Sequence, residues 1–213
     1  ERSFEPWNQN FLIPLVIPAL EGVREKLDTG VRVADIGCGA GGAALLMGST
    51  FPNSTIDGFD ISKFALERAE ERKSESGAHN VSFFDPREDP IADDHSYDLI
   101  CTFDCIHDMT KPTEMMKTIR KALKNDGTWL LVDIKAQETL ELNVTKNPMA
   151  SLLYGISVLS CMSSAMSVAG GAGLGTLGLP ESKARAMAQE AGFSRFRKLD
   201  IEHSLNAFYE VRP

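Results

Sequence analysis

The chain has no run of about 20 consecutive apolar residues, no cluster of Lys and Arg long enough to follow a phosphate backbone, and no cysteines in the paired spacing of a metal site or a disulfide framework. The first absence excludes a membrane-spanning helix, because the longest uncharged stretch, residues 147–180, is broken by Ser, Thr and Gly. The second, with a net charge of -8, excludes nucleic acid as the main partner of this domain and favours a small molecule. The third sets aside a disulfide framework and a metal site: Cys38, Cys101, Cys105 and Cys161 read as reduced thiols of a cytoplasmic protein. A signal pattern is missing too, and the chain opens at Glu1 rather than Met, so the sequence reads as a trimmed part of a longer one.

What is present is ordinary for a globular domain: 43% hydrophobic and 24% charged residues over 213 positions. That length suits one domain, residues 1–213, with a helical segment over 1–28 and an apolar insertion over 146–180. Between them, apolar runs of strand length alternate with helix-length amphipathic segments, the pattern of a doubly wound, mostly parallel α/β sheet. Strands are expected at Val31 to Ile36, Ser54 to Asp60, Val81 to Phe84, Tyr97 to Phe103 and, after an Asn125-Asp126-Gly127 turn, Thr128 to Ile134. Ser62 has the position of an N-cap, Gly192 stops a helix over Glu181 to Ala191, and two strands close the chain near Phe196 to Leu199 and Ala207 to Val211.

The run Asp35-Ile36-Gly37-Cys38-Gly39-Ala40-Gly41-Gly42 falls where the first strand hands over to a helix. Glycines there let the backbone approach a ligand closely, and the helix N-terminus behind them offers free N–H groups. Gly37, Gly39 and Gly42 also satisfy the dinucleotide G-x-G-x-x-G pattern. Asp35 discriminates: a carboxylate before the glycines repels a pyrophosphate and attracts a cationic ligand. Asp60, 23 positions after Gly37, ends the second strand where an acid accepts hydrogen bonds from ribose hydroxyls, which supports a nucleoside of either kind.

With these residues in hand the chain resembles the class I, Rossmann-like S-adenosylmethionine-dependent methyltransferases. Asp35-Ile36-Gly37-Cys38-Gly39 looks like their first motif, Tyr97-Asp98-Leu99-Ile100 their fourth-strand motif, and Leu123-Lys124-Asn125-Asp126-Gly127-Thr128 their turn before strand five. Phe103-Asp104-Cys105-Ile106-His107-Asp108-Met109 and Glu190-Ala191-Gly192-Phe193 are similar to a microbial and invertebrate subfamily whose members carry a winged-helix domain ahead of the catalytic one. The resemblance implies a seven-stranded sheet with an antiparallel last strand and cofactor contacts from Asp35, Gly37, Cys38, Gly39, Gly41, Asp60, Ile61, Asp85, Phe103 and Asp104. Asp85 stands where an acid would take the adenine amine, Phe103 would flank the methionine portion, and Asp104 would hold its ammonium.

His107 is the histidine that falls within this site, after strand four, and is expected to act as a general base on the acceptor; a structural histidine beside a capping Asp108 is the alternative. The apolar residues of 147–180 are expected to form a lid or a homodimer contact, with Gly170, Gly171, Gly173, Gly175 and Gly178 as a mobile hinge. The implied activity is methyl transfer to a small apolar acceptor. An NAD-dependent oxidoreductase and an S-adenosylmethionine-sensing regulator are the alternatives.

Overall fold

Residues 5–213 are described by the computed structural model. Seven strands, β1 (Arg32–Ile36), β2 (Thr55–Phe59), β3 (Val81–Phe84), β4 (Tyr97–Phe103), β5 (Leu123–Ile134), β6 (Arg195–Lys198) and β7 (Asn206–Arg212), hydrogen-bond in the order β3-β2-β1-β4-β5-β7-β6. β1 to β5 are parallel, and β7 is antiparallel to both its neighbours. This is the expected seven-stranded architecture.

Side chains along the central strands alternate between two cores, as the period-2 geometry of a strand requires. Val33, Leu99, Cys101, Leu130, Val132 and Phe208 enter one. Ala34, Ile36, Ile100, Trp129, Leu131 and Tyr209 enter the other. The first face is covered by α1, a helical run over 5–19, with α2 (Val23–Thr29) and α3 (Gly42–Thr50), through Leu12, Val16, Leu27 and Met47. The second is covered by α5 (Pro112–Ala122) and α8 (Glu181–Glu190), through Met116, Ile119, Ala184 and Ala188. Covering both faces is what makes the central strands nearly continuous in apolar residues. Between β2 and β3 lies α4 (Lys63–Ser76), whose first turn is capped by Ser62 Oγ accepting from the Ala65 N–H at 3.3 Å, and which ends at the left-handed Gly77.

Two expectations change. Asn125, Asp126 and Gly127 are not a turn before the fifth strand; β5 already pairs at Leu123, and the three residues bulge outward where the register slips between Tyr97 and Leu99. Lys124 anchors that start on the Asp98 carboxylate at 2.9 and 3.0 Å. After α6 (Leu140–Lys146) the apolar insertion forms α7, a helical run over 150–165 with a π-helical turn at Ser157–Cys161. Its glycine stretch is pinned, not hinged: Ala172 N donates to Thr110 O at 2.9 Å and Gly175 N to His107 O at 3.3 Å. A Cβ at Gly171 would strike the Ala165 carbonyl and one at Gly178 the Leu174 carbonyl, so these glycines permit close backbone approach. Leu152, Ile156 and Leu159 form an exposed outward row on α7. Among the described residues no helix is long and apolar enough to cross a membrane.

Candidate active site

The turn from β1 into α3 places Gly37, Gly39 and Gly41 at φ 74, 55 and 74°, a region that side chains disfavour. Sterics then separate their roles. A Cβ at Gly37 would lie 2.8 Å from Cys105 Cβ, and one at Gly41 2.5 Å from the Phe83 ring, whereas one at Gly39 meets nothing within 4 Å. Gly39 therefore faces open space. The loop is held by Gly37 N and Cys38 N donating to Phe59 O at 2.8 and 3.1 Å, Gly39 N to Asp60 Oδ2 at 2.8 Å, and Arg72 Nη1 to Ala40 O at 3.0 Å.

Two cavities meet at this loop. One of about 250 Å³ is lined by Asn8, Asp35, Cys38, Gly39 and Phe103 among others. The other, about 550 Å³, is lined by Asp60, Ile61, Pro86, Ile91, Cys105 and Asp108 among others. Gly37 lines both. Each lies at the carboxyl ends of the parallel strands, where open α/β sheets bind ligands.

Asp35 is 1% exposed, and neither carboxylate oxygen has a partner in good hydrogen-bond geometry; the Ala44 N–H faces it from the start of α3 without closing a well-formed bond. Burial raises its carboxyl to about 7, the Asp60 charge adds to the rise, and the Ala44 amide at the start of α3 offsets only part of it. A buried acid without a well-formed hydrogen bond beside a cavity is uncommon in folded proteins, and it marks a place where a donor belongs. Asp60 is positioned differently: its Oδ1 accepts from Ser62 N and its Oδ2 from Gly39 N, each at 2.8 Å, so it joins the β2 exit to the glycine loop.

Phe103 stands beside the smaller cavity with Trp7 edge-on to its ring at 5.5 Å. Ile61 is exposed on the rim of the larger one. Three other expected contacts line neither cavity. Gly41 packs against the Phe83 ring, which leaves no room for a side chain there. Asp85 is occupied by Arg87, which donates from Nε at 2.8 Å and from Nη2 at 2.5 Å and holds the carboxyl down at about 2. Asp104, in a left-handed conformation at φ 49°, accepts from Asn206 Nδ2 at 2.6 Å; burial first and Asp133 next raise its carboxyl to about 7.

His107 also departs from expectation. It lies in the turn Ile106–Asp108, 3% exposed, with Nδ1 2.6 Å from Asp133 Oδ1 and Nε2 3.2 Å from Asp108 Oδ1. Burial opposes its charging, but the Asp133 carboxylate and then Asp108 outweigh that and raise it to about 11. A ring already protonated and flanked on both nitrogens has no lone pair for an acceptor's proton, which removes the simple general base. The group of this cluster that reaches the larger cavity is Asp108.

Asn8 and Asp133 were not anticipated. Asn8 opens the polar run Asn8-Gln9-Asn10 with no motif around it, and only tertiary packing brings it to the cavity. Asp133 carried a usable signal, an acid at the carboxyl end of a central parallel strand.

A doubly wound sheet in this order, with a glycine turn after β1 and an acid after β2, defines the Rossmann-like class of nucleoside-binding folds. The chain belongs to the Methyltransferase domain family, whose model matches residues 27–167. It is 36% identical over 113 residues to a malonyl-[acyl-carrier protein] O-methyltransferase of Halalkalibacterium halodurans, covering 50% of this chain and 40% of that protein. It is 34% identical over 127 residues to the methyltransferase GfsG of Streptomyces halstedii, covering 57% and 45%. The chain thus spans less than half the length of these curated relatives. Among solved structures it is similar to the YcgJ protein of Bacillus subtilis, with a TM-score of 0.60 and 25% identity over 84% of this chain and 70% of that one. Human N-acetylserotonin methyltransferase, solved in complex with S-adenosylmethionine, shares the fold at a TM-score of 0.62 and 20% identity, over 92% and 50%.

Proposed function

We propose that this methyltransferase takes its methyl group from S-adenosylmethionine and places it on an oxygen of a small, mostly apolar acceptor. The observation that carries the reading is Asp35, a buried carboxylate with no well-formed hydrogen bond at the wall of the smaller cavity. The ammonium of a methionine moiety supplies the donor that Asp35 lacks, and it would favour the ionised form that burial disfavours. A pyrophosphate would be repelled there, which disfavours NAD. Phe103 and Asn8 would flank the same moiety, Asp60 would take the ribose hydroxyls on its free lone pairs, and Ile61, Pro86 and Ile91 would enclose the base. The acceptor's place is the remainder of the larger cavity, walled by Met109 and Met115, with Asp108 and Ser164 as polar groups.

S-adenosylmethionine supplies a methyl on a positive sulfur that leaves as a neutral thioether. The residues of this chain need chiefly to hold the acceptor oxygen in line and exclude water. Oxygen as the acceptor atom follows the O-methyltransferase named among the relatives. The four free cysteines suit a reducing compartment, the cytoplasm, and the exposed row on α7 suits a homodimer contact.

Two substitutions test the site by calorimetry with S-adenosylhomocysteine. Asp60→Ala is expected to weaken binding by about 1.5–3 kcal/mol, the worth of hydrogen bonds to a charged group; unchanged affinity removes Asp60 from the site. Gly39→Val is expected to abolish binding while the chain still unfolds cooperatively, because its side chain enters open space where the ligand would lie and a branched residue strains the loop at φ 55°. Normal binding by that variant would make the turn purely structural.

A further inference from the structure

We propose that His107 Nε2, Asp108 Oδ1 and Cys161 Sγ form a binding site for a divalent transition-metal ion of the zinc class, at the wall of the larger cavity. These three atoms lie within 4.8 Å of one another, brought together from the turn after β4 and from α7. Nitrogen, carboxylate oxygen and sulfur are the donor types such an ion selects. With metal–ligand distances of about 2.0–2.2 Å, a tetrahedral N···O edge is about 3.4 Å, and His107 Nε2 and Asp108 Oδ1 stand 3.2 Å apart.

Three further features surround these donors. Asp108 Oδ1 is buried and faces His107 Nε2 at 3.2 Å and the Cys161 thiol, with neither in good hydrogen-bond geometry, so its two neighbours are the other two donors of the site. Asp133 Oδ1 holds the opposite ring nitrogen, Nδ1, at 2.6 Å, the carboxylate–histidine arrangement that orients an imidazole toward a metal. Cys161 ends a π-helical turn, a distortion frequent at functional sites, and its sulfur accepts from Thr176 Oγ1 at 2.9 Å.

Binding balances in protons. The Cys161 thiol and the Nε2–H of His107 each give one proton to solvent, while Nδ1–H stays on the Asp133 bond. One dication replaces two protons, so the charge of this buried cluster does not change. Three protein ligands leave a fourth position for water or an acceptor's oxygen, the pattern of ions that act on substrates. That last consequence rests on the methyl-transfer reading; the ion site does not, and its test needs no cofactor. The wide sequence spacing of Cys161 from His107 and Asp108 is why no metal was expected from the sequence.

The test titrates chelator-stripped protein with Co²⁺ and follows its absorption spectrum. The expected result is one equivalent bound, with intense tetrahedral visible bands and a sulfur-to-cobalt charge-transfer band. Cys161→Ser should abolish the charge-transfer band. Asp133→Asn should weaken Co²⁺ binding 10- to 100-fold, as loss of an orienting partner does. Asp108→Asn, at a half-exposed position, guards against a Cys161→Ser variant that fails to fold; it should also weaken binding, with the circular dichroism of the native chain. Less than stoichiometric binding, a weak octahedral spectrum, or a charge-transfer band that survives Cys161→Ser overturns the proposal.

Discussion

S-adenosylhomocysteine is expected to bind about tenfold more tightly at pH 8 than at pH 6, and the reason is Asp35. Its carboxyl ionises only near about 7 in the ligand-free chain. A ligand ammonium needs it ionised, so below that pH binding must expel a proton, and affinity falls toward tenfold per pH unit; above it the affinity levels off. The same group acts on stability with the opposite sense. The unfolded chain releases this proton near 3.8 and the folded chain holds it to about 7, so the folded chain binds more protons throughout that window. Ligand-free stability should therefore fall as pH rises from about 4 to 7, by up to about 4 kcal/mol at 1.4 kcal/mol per pKa unit. Asp35→Asn removes the carboxylate. It should be more stable than wild type at pH 8 without ligand, and should bind S-adenosylhomocysteine at least tenfold more weakly. Calorimetry and urea unfolding at pH 6 and 8 check both halves. Affinity that does not change with pH, together with an Asp35→Asn variant that binds normally, would place the ammonium elsewhere.

Asp133→Ala is expected to cost about 3–5 kcal/mol of stability in the presence of chelator, the usual penalty for removing one member of a buried ion pair. His107 is 3% exposed and Asp133 1%, so water cannot replace the lost carboxylate. The substitution also strips the Ile134 N–H of its acceptor, the same Oδ1, at 2.8 Å. Urea midpoints of wild type and variant measure the loss. A cost below about 1 kcal/mol would mean that the pair is screened by solvent like a surface pair, for which such small values are the rule.

The fold was legible because its signals are local. Each central strand is an apolar run bounded by a turn, and Ser62 or Gly192 marks a helix end within a few residues of itself. The glycine turn and Asp60 were legible for the same reason: strand, glycines and following acid lie within one βαβ unit. Side-chain partnerships set by distant strands were not. His107 is paired with an acid 26 residues away, and Asp104 is drawn to Asn206, 102 residues away, out of reach of any spacing rule. Asp85 was lost to a neighbour, since Arg87 two residues on can fold back over it. Gly171 and Gly178 were not readable as close-packed positions because flexibility and close approach demand the same residue, and only the carbonyls packed against these two tell which applies.

The most direct measurement is a calorimetric titration of the purified chain at pH 8 with S-adenosylhomocysteine and, separately, with NAD. The cavity beside Asp35 predicts saturable one-to-one binding of S-adenosylhomocysteine, weakened by Asp60→Ala and lost in Gly39→Val, with no saturation by NAD. Binding of NAD in preference, or no binding of S-adenosylhomocysteine by a chain that unfolds cooperatively, would contradict the assignment.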